Sequence, residues 1–219
     1  MDTSRRNVLA LIAAVSFGVL PGAVRADGAE TEMQRLARTH ATERYNVAVP
    51  GFSIRAGGGM TAVNAPLAIV RQQVTDYRHY SEFMPRFQKS QVVRGGSSPE
   101  VYLQVAILHG VANVWAVTRF SPAVPDGAGE RIEGKMVVDD KGKKQGNVDD
   151  LRAVWRLIPI DPDHTILKLE LLIVPSFPAP GSIVTDELEF AADQAVSSAR
   201  SRAEANCRAV ARQNDGAAQ

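Results

Sequence analysis

Side chains able to do polar chemistry are few in this sequence, and their spacing decides what they can do. The four histidines, His40, His79, His109 and His164, fall in no H-x-x-x-H or H-E-x-x-H pattern. The one cysteine, Cys207, makes neither a thiolate cluster nor an internal disulfide. No metal and no cofactor is expected on these grounds. Two acidic pairs, Asp139-Asp140 and Asp149-Asp150, flank a turn that carries Lys141, Lys143 and Lys144. Converging, they would make a cation site or a carboxylate dyad; at a hairpin tip such charges are ordinarily solvated. Asp76 closes an apolar helical pattern, where a short carboxylate more readily fixes a helix-to-turn junction than acts as a base. No serine sits in G-x-S-x-G, and Gly57-Gly58-Gly59 lacks the flanking pattern of a phosphate loop and reads as a flexible break. No catalytic residue is assigned.

The elements around these residues are strongly patterned. In Asn64–Val93, Leu67, Val70, Val74 and Tyr77 recur at helical spacing, and Pro66 suits the first helical turn. An aromatic knot of Tyr80, Phe83 and Met84 follows, just before Pro85. Beyond it the period changes to two. Val101–Leu108 and Val111–Phe120 flank His109-Gly110 as a hairpin, with Gln104 opposite Trp115 and Ala106 opposite Asn113. Leu103, Val105, Ile107, Val114, Ala116, Thr118 and Phe120 share the face assigned to the interior. Tyr102 and Trp115 share the other, where the pair either braces neighbouring strands or offers a transient membrane or protein contact. Ile132, Gly134, Met136 and Val138 alternate inward, as do Leu151, Ala153, Trp155 and Leu157, and then Leu167, Leu169, Leu171 and Ile173. The strands form an antiparallel meander. After Pro175–Pro180 one long helix runs from Ser182 to about Arg212, with a stripe from Ile183 and Val184 through Leu188, Ala191, Ala192, Ala195, Val196, Ala199, Ala203 and Cys207 to Val210.

The first 26 residues read as a cleavable export signal: Arg5-Arg6, the apolar run Val8–Leu20, and a small residue, Ala26, before Asp27. The run is shorter than the ~20 residues a membrane span needs. Ser4-Arg5-Arg6-Asn7-Val8-Leu9 is similar to the twin-arginine type, which places the protein in the periplasm or outside the cell. Residues 27–44 are a helix or a disordered leader, 45–213 a single domain, and 214–219 a fraying tail. The leader holds three Arg and one Asp of the 25 basic and 24 acidic residues, so the remainder is nearly neutral and offers no electrostatic case for nucleic acid.

The segments Ala65-Pro66, Val70, Val74-x-Asp76, Tyr80-x-Glu82-Phe83-x-Pro85 and Ser90-x-Val92, with the prolines ahead of the last helix, resemble the START-like (SRPBCC) helix-grip superfamily. Within it the likeness is to the polyketide cyclase/dehydratase and coenzyme Q-binding group. The resemblance implies an α+β fold: a curved antiparallel sheet of about six to seven strands wrapped on a long C-terminal helix. It also implies a cavity between the two for an apolar small molecule such as a lipid, isoprenoid or quinone-like compound. The residues expected to line it are Tyr80, Phe83, Met84, Val105, Ile107, Val114, Ala116, Thr118, Phe120, Met136, Trp155, Leu169, Leu188, Ala192, Ala195 and Ala199, with the knot as its mobile rim. The helix stripe is small-sided, so either a ligand or the sheet's own Phe120, Met136, Trp155 and Leu169 fill the space beneath it. Three readings follow: a binding or carrier protein, a cyclase/dehydratase-type enzyme, or an interaction module with a filled core.

Overall fold

The computed structural model describes residues 34–36, 38–39, 41–107, 110 and 112–217. The proposed leader, His40 and the hairpin tip at Leu108, His109 and Val111 lie outside them. The strands are β1 (Thr42–Val47), β2 (Ala56–Val63), β3 (Phe87–Arg94), β4 (Glu100–Ile107), β5 (Ala112–Phe120), β6 (Val124–Asp126), β7 (Gly129–Met136), β8 (Val148–Asp161) and β9 (His164–Pro175). The helices are α1 (Leu67–Val74), α2 (Tyr80–Phe83) and α3 (Gly181–Ala217), with a 3-10 turn at Tyr77–His79. One antiparallel sheet runs β1-β2-β9-β8-β7-β5-β4-β3, and β6 pairs with β7. This is the expected helix-grip architecture, with nine strands rather than six or seven. The hairpin register is also as expected, Gln104 opposite Trp115 and Ala106 opposite Asn113.

The two extra strands have distinct causes. β6 is three residues long, too short to leave an alternation pattern. β1 begins at Thr42, three residues ahead of the expected domain start, and pairs with a β2 that contains Gly57, Gly58 and Gly59. The triple glycine is therefore no break; every residue of β2 is buried. A Cβ at Gly57 would lie 2.1 Å from the Glu189 backbone nitrogen, and one at Gly59 would lie 2.7 Å from the Ala192 carbonyl carbon. The glycines let the backbone of α3 rest on the backbone of β2.

α3 is 37 residues long, ~55 Å at 1.5 Å per residue, and continues past the expected end to Ala217. Its Val184, Leu188, Ala191, Ala192, Ala195, Val196, Ala199 and Ala203 are buried at three- and four-residue spacing. Ile183 and Val210, expected on that stripe, are about half exposed, one in the first turn and the other beyond the last buried position. The helix lies along β1, β2 and β9 and against α1. On its opposite flank Arg86, in the turn just ahead of β3, reaches Glu187 at 3.4 Å and Gln194 at 3.4 Å. Arg86 and Arg44 each stand 4.8 Å from the centre of the Phe190 ring. The two edge strands thus converge on one side chain of the helix.

Outside the sheet, a smaller core of Met60, Ala62 and Ile166 closes over Leu36 from the helical residues ahead of β1. β7 stops at Met136, and Val138 keeps only an isolated bridge to Lys144. Val138 is consequently exposed, not inward as its alternation suggested, while Val137 is buried.

Candidate functional site

The α1–α2 crossover is shaped by Asp76. Its Oδ1 lies 2.5 Å from His79 Nδ1 and its Oδ2 accepts a 2.7 Å bond from Arg202 of α3. Arg202 also lies 4.3 Å from the Phe83 ring centre. Asp76 thus ties the turn to α3, a structural role wider than the local bond expected of it. The other polar candidates also resolve into local structure. Asp139 Oδ1 accepts from the backbone N–H groups of Lys141 and Lys143, Asp150 pairs with Arg152, and His164 pairs with Asp161. Among the described residues no three His, Cys, Asp or Glu side chains converge as a metal site.

Behind the crossover the aromatic knot forms a wall. Tyr77 stacks on Phe120 at 4.3 Å between ring centres, and Tyr80 meets Tyr77, Phe83 and Phe87 edge-on. Tyr80 and Met84 are almost fully buried, so they belong to the interior and not to a mobile rim. The Tyr80 hydroxyl donates to the Val74 carbonyl. Burial holds the hydroxyls of both Tyr77 and Tyr80 well above the ordinary tyrosine pKa of 10.0.

Between this wall, the sheet and α3 lies a small space of about 30 Å³. Of the expected lining residues, Tyr80, Val105, Phe120, Trp155, Leu169 and Ala195 border it. The other ten do not. Leu188, Ala192 and Ala199 are buried in α3, the first two against the β2 glycines. Ile107, Val114 and Ala116 are buried farther along the same sheet face, and Met84 is buried in the knot. Phe83 is half-buried under Arg202, and Met136 half-buried at the end of β7. Thr118 is fully buried, and its Oγ1 has no hydrogen-bond partner.

Leu103, Leu151, Ala153, Leu171, Ile173, Ala191 and Phe87 complete the border. All but Phe87 were legible as inward-facing by period; Phe87 opens β3 one residue earlier than the pattern implied. Among these residues Tyr80 is the one titratable group. A wider open groove, about 460 Å³, lies outside the wall, where Arg71, Asp76, Tyr77 and Arg78 line it. The Tyr77–Phe120 stack separates groove from interior. On the far sheet face Trp115 is 37% exposed and stacks on Tyr102 at 5.6 Å, bracing β4 and β5.

Solved structures share this fold. A STAR-related lipid transfer protein fragment from Xanthomonas axonopodis is 19% identical with a TM-score of 0.62, covering 74% of this chain and 93% of its own. Human StAR-related lipid transfer protein 5 is 10% identical with a TM-score of 0.59, covering 83% and 96%. The Zhui aromatase/cyclase from a Streptomyces species is 16% identical with a TM-score of 0.51, covering 70% and 93%. No curated protein sequence matches significantly. The family described as polyketide cyclase / dehydrase and lipid transport matches residues 63–199, from the end of β2 to the buried middle of α3. With a START-like helix-grip fold and more than half of its length in that match, the chain belongs to this family.

Proposed function

We propose that this protein is an exported binding or carrier protein for an apolar small molecule, held between the sheet and α3. The observation that carries the reading is the interior itself: a space bordered by aliphatic and aromatic side chains, roofed by Ala191 and Ala195. Family membership supports it, and the Ser4-Arg5-Arg6 leader pattern supports export. The space as described, about 30 Å³, holds no lipid, so on this reading the interior enlarges on binding; a space this small is also what a filled-core interaction module would have. Binding proceeds by parting α3 from the β3 side of the sheet and burying ligand at roughly 25 cal/mol per Å² of apolar surface.

The test is native mass spectrometry, with lipid extraction, of protein purified from its own periplasm. A bound apolar species in the wild type, lost in Ala195→Trp, is the expected result. A filled-core interaction module predicts no adduct in either protein, and that outcome overturns the reading.

The cyclase/dehydratase reading has one observation in its favour, the Tyr80 hydroxyl at the cavity border. That hydroxyl is engaged with Val74, and burial keeps it protonated. An acid–base mechanism would have to begin by releasing it.

A further inference from the structure

The interior face contains a buried polar atom that the fold does not use. Thr118 is 0% exposed and its Oγ1 has no hydrogen-bond partner. Valine would fill the same volume on a strand without an unsatisfied hydroxyl. Thr118 sits in register between Val101 and Met136, two residues before Phe120 and diagonal to Leu103. Phe120 and Leu103 both border the cavity.

The adjoining position on β7 is Gly134. A Cβ there would lie 2.7 Å from Phe120 Cε1 and 3.0 Å from Thr118 Cγ2. The Phe120 ring therefore lies over a residue with no side chain, beside Thr118, and its face is covered by Tyr77. Lifting that ring opens volume over Gly134 beside Thr118, whose methyl faces it; a turn about χ1 then presents the unused hydroxyl to that volume. The cavity border carries no charged side chain, and the Tyr80 hydroxyl is already engaged. An ionised ligand group would be buried there without a partner, at a cost far above that of a neutral oxygen.

We infer that Thr118 is the polar anchor of the interior: with Phe120 lifted off Gly134, its hydroxyl donates to one neutral oxygen, a carbonyl or hydroxyl, of an otherwise apolar ligand. This rests on the binding reading above and names its ligand class.

The test uses the purified protein loaded with 1-aminoanthracene, from which 2-decanone or decane displaces the dye. Wild type, Thr118→Val and Thr118→Ser are compared after thermal unfolding has verified that each is folded. In Thr118→Val the ketone weakens about tenfold while decane stays within about twofold; Thr118→Ser keeps the wild-type preference for the ketone. Equal weakening of both probes in Thr118→Val, or no change in either, overturns the anchor while leaving the binding reading intact. If neither dye nor probe binds wild type, the binding reading fails and the anchor with it.

Discussion

At Gly57 and Gly59 the chain has no room for one methyl group, because the atoms a Cβ would meet are α3 backbone and cannot rotate away. Gly57→Ala is expected to cost about 2–3 kcal/mol, the upper part of the usual overpacking range, read as a lower urea midpoint. Gly95→Ala, where a Cβ meets nothing within 4 Å, is the control. The two buried tyrosines make a second prediction. Their folded-state pKa values lie above the unfolded value of 10.0, so the unfolded chain releases protons first. The stability they contribute is fully present below about pH 10 and is lost as pH rises above it. Urea midpoints should hold steady up to about pH 9 and fall beyond pH 10, and Tyr77→Phe should make that fall shallower. At this scale the sequence was informative about facing but not about depth. Alternation marked Val114 and Ala116 as inward, correctly, yet could not say that the space lies beside Leu151 and Ala153 instead. Nor could it show that Thr118 lacks a partner, since satisfaction of a hydroxyl depends on rotamers and neighbours from other strands.

At the scale of elements, α3 is held differently on its two flanks. Toward β2 it rests on backbone and toward β1 on side-chain pairs, Arg44–Asp193 and Asn46–Glu189; toward β3 it is held by Arg86, just ahead of that strand, through Glu187, Gln194 and Phe190. Arg86→Ala should cost about 1–3 kcal/mol, the range for removing a partly buried charged hydrogen-bond partner, and should speed dye exchange in stopped flow. Asp76→Asn keeps the shape but removes the charge shared by His79 and Arg202. A loss of about 1 kcal/mol is expected from thermal unfolding at low salt, shrinking as salt is added. The register of the β4–β5 pair was legible, Gln104 opposite Trp115 and Ala106 opposite Asn113, because its alternation is regular and one face is buried. The triple glycine was misread for an equally physical reason. Local propensity treats glycine as a break, whereas here glycine is required by Leu188, Glu189 and Ala192, about 130 residues downstream. No local window contains that requirement.

For the whole molecule, the helix grip was legible through the family resemblance carried by Val74-x-Asp76, Tyr80-x-Glu82-Phe83-x-Pro85 and Ser90-x-Val92, together with the order of strands, crossover and terminal helix. The strand count fell short at β6, too short to carry a pattern, and at β1, a half-buried to exposed edge strand that begins ahead of the expected domain. What fills the grip was not legible, because cavity size is a small difference between two large volumes, the shell and its side chains. The prediction belonging to this scale is Gly134→Ala. The added methyl displaces the Phe120 ring, and dye binding should accelerate while stability falls by about 1–3 kcal/mol.

The glycine track on β2 has a mechanical consequence. A helix that touches a strand backbone-to-backbone has no side-chain layer there to compress or expand. Its distance from β2 is set by hard atoms, while on the other flank it is held by side chains that can rotate, Arg86 toward β3 and Arg202 toward the crossover. Movement of the helix is therefore expected to be a swing about β2 as axis, least at the glycines and widest at Arg86. The grip opens like a book bound along β2.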